Sequence, residues 1–487
     1  MTGTVVNVVH GKPLVKRRVR VGILALLLFG SSVALSVAGL GNILQVIFPV
    51  SAMALGSWLL IDDRREDYIA LTLWLFLLTP GLRRLVDFQA GWSPVNGLML
   101  APYASGVLCV GPVLKMSMSR RFGYGGLFTV IFVCISYGFV VAVIDDRLYT
   151  AIFDLLRWDV PPCLCLLIAL DPERRRSFQD TFASTMVLAL ILLSLYGTYQ
   201  FVALPPWDAM WIREAAMVSV GQPESYLVHI FSTMNSPGSF STYVMVGLLI
   251  TMPTAGPMRM PAIGIGTIAL LLTLVRSSWL GLLAGLIFLL FFGASVRARF
   301  NILIGLVCVP FIVLGLEQIP QGAEIIDSRL NTLSNVQNDQ SYIDRSAGYR
   351  DFLYRGLLEA PFGSGLGVTG TYQSYIDHRA PIMVDGAIIE VGMTLGVFAG
   401  GAYMAAIVLI AVAACWASVR IDDTFVSSCG AIVAALTLNL MSGTMTVGEM
   451  GVLFWITAGF CLVAQPRTWL ALDPRPNTAN PFVSKHR

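Results

Sequence analysis

The side chains that could do chemistry in this sequence are arginines and carboxylates gathered in and beside two long polar segments. Arg276 precedes an apolar run, Arg213 lies in the first polar segment, and Arg345 lies in the second. A guanidinium group keeps its charge and can hold phosphate oxygens through paired hydrogen bonds. A carboxylate or an imidazole can accept a proton from a hydroxyl group. Long polar segments in a compact chain are usually functional, so the pattern indicates a working site.

Further candidates surround the second polar segment, namely Arg329, Arg350, His378, Asp385 and Glu390. Several of them have a plain structural alternative. Arg345 and Arg350 could belong to a solvated helix surface and pair with neighbouring aspartates. Asp385 could cap the N-terminus of the next helix instead of contacting a substrate or serving as a base. His378 is interpreted as an exposed loop histidine, with a role as a base as its alternative.

Arg276 and Glu390 lie where charge is costly. Arg276 is at the predicted outer end of an apolar span, where positive charge is disfavoured. Its alternative role is an anchor whose guanidinium group reaches the lipid headgroups. Glu390 is close to the next apolar run, and burying it there is costly without a partner. We therefore expect Glu390 to pair with an arginine.

The composition requires a lipid environment for these groups. Of 487 residues, 56% are hydrophobic and 13% are charged, which is about half the charged fraction of a soluble domain. The net charge of +3 gives no reason to expect nucleic acid as a partner. The eight cysteines lie in or beside apolar runs, which favours core packing over disulfides. No acidic or histidine cluster has the spacing of a metal site.

Apolar windows long enough to cross a bilayer, roughly 17–25 residues each, can be placed fourteen times along the chain. Their approximate centres are Phe29, Met53, Trp74, Ser105, Ser136, Pro161, Leu192, Gly247, Leu270, Ile287, Val309, Phe398, Leu436 and Trp455. The first run is too long for a signal peptide. These windows predict an all-α, polytopic membrane helix bundle of about 12–14 transmembrane helices, with residues 1–487 forming one membrane domain.

The distribution of basic residues predicts the orientation. With both termini cytoplasmic, 21 of the 32 Lys and Arg residues fall on the inner side and six fall in short outer loops. Those six are Arg83, Arg84, Arg147, Arg157, Arg213 and Arg276. The same topology places a smaller loop (204–236) and a large loop (317–382) on the outer side.

The large loop carries a predicted helix. Ser341 and Asp344 have the spacing of a capping box. Tyr349, Phe352 and Leu353 would then share one face by their 3–4 spacing. The helix is expected to end before Pro361, and the glycines of residues 363–367 are expected to form a tight turn.

Four segments, in this order, resemble the O-antigen ligase and O-antigen polymerase superfamily. They are Ser232–Phe240, Arg276–Gly281, the loop helix with Arg345 followed by Pro361–Gly367, and Asp385–Gly386 with Glu390, Gly392 and Gly396. The resemblance covers about residues 231–400. Ligases of this superfamily typically have a histidine where this chain has Asp385. That difference favours a polymerase of the Wzy type over a ligase.

The resemblance implies transfer of a glycan from an undecaprenyl-diphosphate carrier to a sugar hydroxyl of another lipid-linked unit. Arg276, Arg345 and Asp385 would be catalytic. Arg350, Arg329, Arg213, Glu390 and His378 would bind substrate. The implied enzyme needs no metal or other cofactor, lies in the bacterial inner membrane and faces the periplasm.

Besides the lipid-linked oligosaccharide and membrane lipid, a chain-length regulator or the export machinery is a further partner to consider. A ligase acting on lipid A core or protein is one alternative function. A flippase or transporter of lipid-linked oligosaccharides is the other, although the sequence lacks the repeated halves common in transporters.

Overall fold

The computed structural model describes residues 14–120, 122–215, 218–254, 256–293, 295–304, 306, 347–350, 352–356, 359–369 and 386–463. Within these ranges the chain folds into helices and forms no β-strand. The predicted all-α polytopic membrane helix bundle is therefore confirmed. The predicted loop residues Arg329, Arg345, His378 and Asp385 lie outside the described residues.

The helices follow one another with short connections at most positions. In chain order they are α1 (Leu14–Val37), α2 (Gly41–Ile61), α3 (Arg65–Ala90), α4 (Ala101–Gly106), α5 (Val110–Ser119), α6 (Gly125–Ile144), α7 (Leu148–Ala169), α8 (Arg175–Val202), α9 (Pro206–Ala215), α10 (Pro237–Thr251), α11 (Arg259–Leu272), α12 (Arg276–Phe292), α13 (Ala387–Arg420), α14 (Thr424–Leu438) and α15 (Gly448–Val463). Helices α4 and α5 form one continuous helical stretch, Gly97–Met118, with short 3₁₀ turns.

Length and apolarity explain why these segments are helical. Seven helices in the described part of the chain are long and apolar enough to cross a bilayer, and further apolar helices are shorter. In lipid every backbone polar group must be satisfied within the protein, which a helix achieves by itself. Thirteen of the fourteen predicted span centres lie inside these helices. The remaining centre, Val309, lies outside the described residues.

Close helix contacts use small residues. Gly459 of α15 faces α7 so closely that a Cβ there would lie 2.9 Å from the Cys165 carbonyl oxygen. Gly106 likewise faces the Val160 side chain of α7. Small residues allow backbones to approach each other in membranes, where packing drives helix association. Helix α7 is thereby fixed in the interior of the bundle, next to α4 and α15.

Ion pairs join the helix ends on one side of the bundle. Asp171, before α8, accepts a hydrogen bond from Arg65 of α3 at 2.6 Å, and its side chain is only 4% exposed. Arg120, directly after α5, lies 4.0 Å from the same carboxylate. Arg175 of α8 pairs with Asp423 at 3.0 Å, which connects α8 to the start of α14.

We predict that Asp171→Asn lowers the free energy of unfolding by about 2 kcal/mol, because the arginines around it would lose their buried counter-charge. Thermal unfolding of the purified protein in detergent measures this. The control is Glu173→Gln, since Glu173 is 82% exposed in its pair with Arg120 and an exposed pair contributes little. Equal stability of the two variants would contradict the prediction.

Candidate functional site

Helices α10, α12, α13 and α15 all begin at one end of the bundle, here named the loop end. The Ser241 and Ser278 hydroxyl oxygens are 2.7 Å apart and join α10 to α12. Ser239 of α10 donates a hydrogen bond to Glu449 of α15 at 2.6 Å. These contacts hold the first turns of three helices together.

The helical part of the large loop packs against the same end. The Tyr349 hydroxyl donates a hydrogen bond to the Met441 carbonyl at 3.0 Å. The buried Phe352 ring packs against Gly392 of α13, and this close contact is possible because glycine has no side chain. Leu353, predicted on the same face, is 55% exposed instead. The reason is local winding, because residues 352–356 form a π-helix that breaks the 3–4 spacing.

The predicted glycine turn is present only in part: Leu366 and Gly367 form a turn, residues 363–365 are irregular, and the segment lies inside the bundle. Residues 365–369 are buried, and the Leu366 amide donates to the Gly138 carbonyl of α6 at 2.9 Å. Gly138 is six residues before the last residue of α6, which is about 9 Å along the helix axis. Pro361–Thr369, named the re-entrant segment, therefore runs between α6, α7 and α13.

Helix α13 is interrupted where the re-entrant segment meets it. Gly396 has φ 75° and ψ −170°, which ends one helical stretch and starts another. The freed carbonyls of Met393 and Thr394 accept hydrogen bonds from the Ser364 and Gly365 amides, each at 2.8 Å. Non-helical backbone at membrane depth is tolerated only where protein satisfies its polar groups, as here.

Two charged residues hold the re-entrant segment from the other side. Arg147, which precedes α7, donates to the Leu366 carbonyl at 3.2 Å and also to the Ser364 carbonyl. Asp154 of α7 accepts a hydrogen bond from the Gly367 amide at 2.8 Å. The segment is thus fixed by side chains of α7 and its N-terminal flank and by the backbone of α13.

A charged cluster lies directly beside this segment. Arg157 of α7 pairs with Asp154, and it also contacts Glu390 of α13 at 3.3 Å. Thr369 donates a hydrogen bond to the same Glu390 oxygen at 3.3 Å. The Tyr103 hydroxyl of α4 and Arg157 Nε lie 3.4 and 3.7 Å from the position that a Cβ at Gly448 would take. The cluster therefore joins α4, α7, α13 and the re-entrant segment.

The expectation that Glu390 pairs with an arginine is confirmed. Its partner is Arg157, which the sequence predicts in a loop and not in a helix. The distribution of basic residues predicts Arg157 in a short outer loop, but it lies nine residues into α7, about 13 Å along the axis. Arg83 and Arg84 also lie in a helix, α3, instead of a loop. The signal available in the sequence was the presence of Asp154, Arg157 and Asp159 in one apolar window.

The other predicted site residues within the described part of the chain are spread over the loop end. Arg276 is the first residue of α12 and is half-buried, two residues before Ser278. Arg350 is exposed in the loop helix beside Tyr349. Arg213 is exposed near the end of α9 and donates a hydrogen bond to the Ala209 carbonyl at 3.1 Å. Only Glu390 belongs to the cluster around Arg157.

Comparison with known proteins gives no family for this chain. No protein-family model matches it, and no curated protein matches it either. Among the described residues, no group of three or more His, Cys, Asp or Glu side chains is placed to hold a metal ion. The contacts between the helix ends at the loop end therefore indicate the function.

The smaller loop is anchored by a buried network that the sequence did not indicate. Arg84 of α3 and Asp208 of α9 form an ion pair at 2.8 Å, and both side chains are fully buried. Asp208 also accepts hydrogen bonds from Tyr196 and Gln200 at 2.8 and 2.7 Å. Arg84 donates to the Ser232 and Met234 carbonyls. This network fixes the approach to α10 and hence the position of its first turn.

Proposed function

We propose that this protein polymerises lipid-linked oligosaccharide units, transferring a glycan from undecaprenyl diphosphate to a sugar hydroxyl of another lipid-linked unit. The observation that carries the proposal is the meeting of four segments, distant in sequence, at the loop end. The first and second segments form the first turns of α10 and α12. The third is the loop helix with the re-entrant segment, and the fourth forms the first turn of α13. These are the segments that resemble the O-antigen ligase and polymerase superfamily.

The contacts between these segments support a shared site. Ser241 and Ser278 join the first two, and the backbone bonds of Ser364 and Gly365 join the last two. Met441, in the 3₁₀ turn that follows α14, accepts a hydrogen bond from Tyr349 in the loop helix. Asn439 nearby lies against Gly281 of α12. The loop helix and α12 therefore border the same short turn.

In the proposed reaction the protein must stabilise the charge that develops on the departing diphosphate. Arg276 is suited to this because its guanidinium group starts α12 at the loop end and stays charged. We assign Arg345 the same task, with Arg350 and Arg329 as further phosphate contacts. Asp385 and His378 remain candidates for contacts with the acceptor sugar. Interactions of this kind are strongest in a partly dry site.

The proposal includes the predicted orientation. The loop end would face the periplasm of a bacterial inner membrane, with both termini in the cytoplasm. The ion pairs of Arg65, Arg120, Arg174 and Arg175 lie at the opposite end. That placement agrees with the excess of basic residues expected on the cytoplasmic side.

We predict that Arg276→Ala lowers polymer formation at least about 100-fold, the effect typical of losing one charge-stabilising group in an active site. Single lipid-linked units should accumulate. The measurement is electrophoresis of carrier-linked glycans from cells that express the variant in place of the natural protein, at equal protein level.

The matched control is Arg297→Ala, because Arg297 is an exposed arginine away from the loop end. It should give polymer at the natural level. Natural polymer levels in the Arg276→Ala strain would overturn the assignment of Arg276. If polymer formation falls equally in both variants, the loss is a general result of removing an arginine and not specific to Arg276.

One structural feature favours a flippase or transporter as a second candidate. Helix α13 is broken at Gly396 beside a buried charged cluster, and broken helices often form the substrate sites of transporters. A strain lacking the gene distinguishes the functions. Single lipid-linked units would accumulate outside for a polymerase and inside for a flippase, and a ligase mutant would retain long chains on the carrier.

A further inference from the structure

We propose that Glu390 is the proton acceptor for the sugar hydroxyl that attacks, and that Arg157 and Thr369 are its positioning residues. This inference rests on the proposed function and gives Glu390 a role beyond binding substrate. It starts from the geometry of the Glu390 carboxylate, which is buried three residues into α13 at the loop end.

The carboxylate of Glu390 is held at one oxygen. Arg157 Nη2 and the Thr369 hydroxyl both contact Oε1, each at 3.3 Å. Among the described residues, these are the hydrogen bonds that Glu390 makes through its side chain, so Oε2 is free to accept a proton. A base held at one oxygen and without a hydrogen bond at the other is oriented for proton transfer.

The charges around Arg157 leave Glu390 only partly compensated. Arg157 forms its shorter contact with Asp154, whose side chain is fully buried. Its contact with Glu390 is longer, at 3.3 Å. Two buried carboxylates therefore share one cation, and the longer contact holds Glu390 less strongly than Asp154.

A buried hydroxyl next to Glu390 gives a second indication of a ligand. Thr394 follows Glu390 by four residues on α13, so the two side chains lie on the same helix face. The Thr394 hydroxyl is fully buried and has no hydrogen-bond partner among the described residues. A hydroxyl left without a partner in an apolar environment is costly. A sugar hydroxyl between Thr394 and Glu390 would satisfy it.

In the proposed step, the acceptor hydroxyl gives its proton to Glu390 Oε2 as its oxygen forms a bond to the anomeric carbon of the donor sugar. The bond between that carbon and the phosphate oxygen breaks, and its electron pair stays on the diphosphate. The products are the new glycosidic bond, undecaprenyl diphosphate and a protonated Glu390, which returns its proton to water.

The test uses the full protein in proteoliposomes, supplied with single lipid-linked units purified from a strain lacking the gene. We expect Glu390→Gln to lower kcat by about 100-fold or more, the contribution typical of a general base, with KM nearly unchanged. Glu390→Asp should keep part of the activity, because it retains a carboxylate. Arg157→Lys should lower kcat less than Glu390→Gln.

The control is Glu173→Gln, which removes an exposed carboxylate at the opposite end of the bundle and should stay within a few fold of the natural kcat. A folded Glu390→Gln protein with natural kcat would overturn the base assignment and leave the polymerase proposal standing. A natural protein that forms no polymer would overturn both. If Glu390→Gln does not fold, the pH dependence of the natural kcat decides. A proton acceptor must be deprotonated to act, so a kcat that does not fall as the pH is lowered contradicts the inference.

Discussion

Alanine in place of Gly396 should separate the re-entrant segment from α13 and reduce polymer formation to background. A Cβ at this position would lie 2.4 Å from the Gly363 nitrogen, the Phe362 carbonyl carbon and the Pro361 carbonyl oxygen. All three are backbone atoms, so no side chain can rotate away. The φ of +75° with ψ of −170° adds strain of roughly 1–3 kcal/mol for any residue other than glycine.

The consequence should reach the charged cluster. The segment that Gly396→Ala displaces carries Gly367 and Thr369, which contact Asp154 and Glu390. We expect a loss of stability of about 3 kcal/mol or more from strain together with the broken backbone hydrogen bonds. Thermal unfolding in detergent and carrier-linked glycan analysis measure the two effects.

Gly401→Ala is the matched control on the same helix. A Cβ at Gly401 would meet no atom within 4 Å, and alanine is the better helix former. This variant should be as stable as the natural protein and fully active. Similar behaviour of the Gly396 and Gly401 variants would show that the contact with the re-entrant segment is unimportant.

The sequence predicts the local structure around these glycines but not their tertiary contacts. Hydropathy placed thirteen of the fourteen predicted span centres inside helices of the described residues, because about twenty apolar residues are a strong local signal for a helix in lipid. The glycines at 363, 365 and 367 predicted a turn, and all three have positive φ. The sequence could not show that this turn lies between helices. That position depends on contacts with Gly138, Arg147 and Gly396, which are far away in the chain.

The same limit applies to the charged cluster. The cost of burying Glu390 predicted an arginine partner, but hydropathy could not select Arg157 from the many arginines available. The count of basic residues treated Arg157 as a loop residue because three charged residues weaken the apolar window of α7. Pairing across 233 residues of sequence is a tertiary effect that no local pattern contains.

The buried pair of Arg84 and Asp208 leads to the second large prediction. Asp208→Asn should lower the free energy of unfolding by about 3–5 kcal/mol, the cost of leaving a buried charge without its partner. Arg84 is fully buried, and it cannot lose its proton to avoid the cost. The Phe231 ring, 4.7 Å from its guanidinium carbon, offers only weak compensation.

The variant should also expose the smaller loop, because α9 is held to α3 through Asp208. Limited proteolysis should cut within residues 204–236 in Asp208→Asn membranes and leave the natural protein intact. Glu224→Gln is the control, since Glu224 is an exposed acid in the same loop and should leave stability and cleavage unchanged. If both variants resist proteolysis equally, the loop is held by its apolar contacts around Trp211 and Phe231. The role of the ion pair would then be limited to holding Arg84 where it donates hydrogen bonds to the Ser232 and Met234 carbonyls, just before α10.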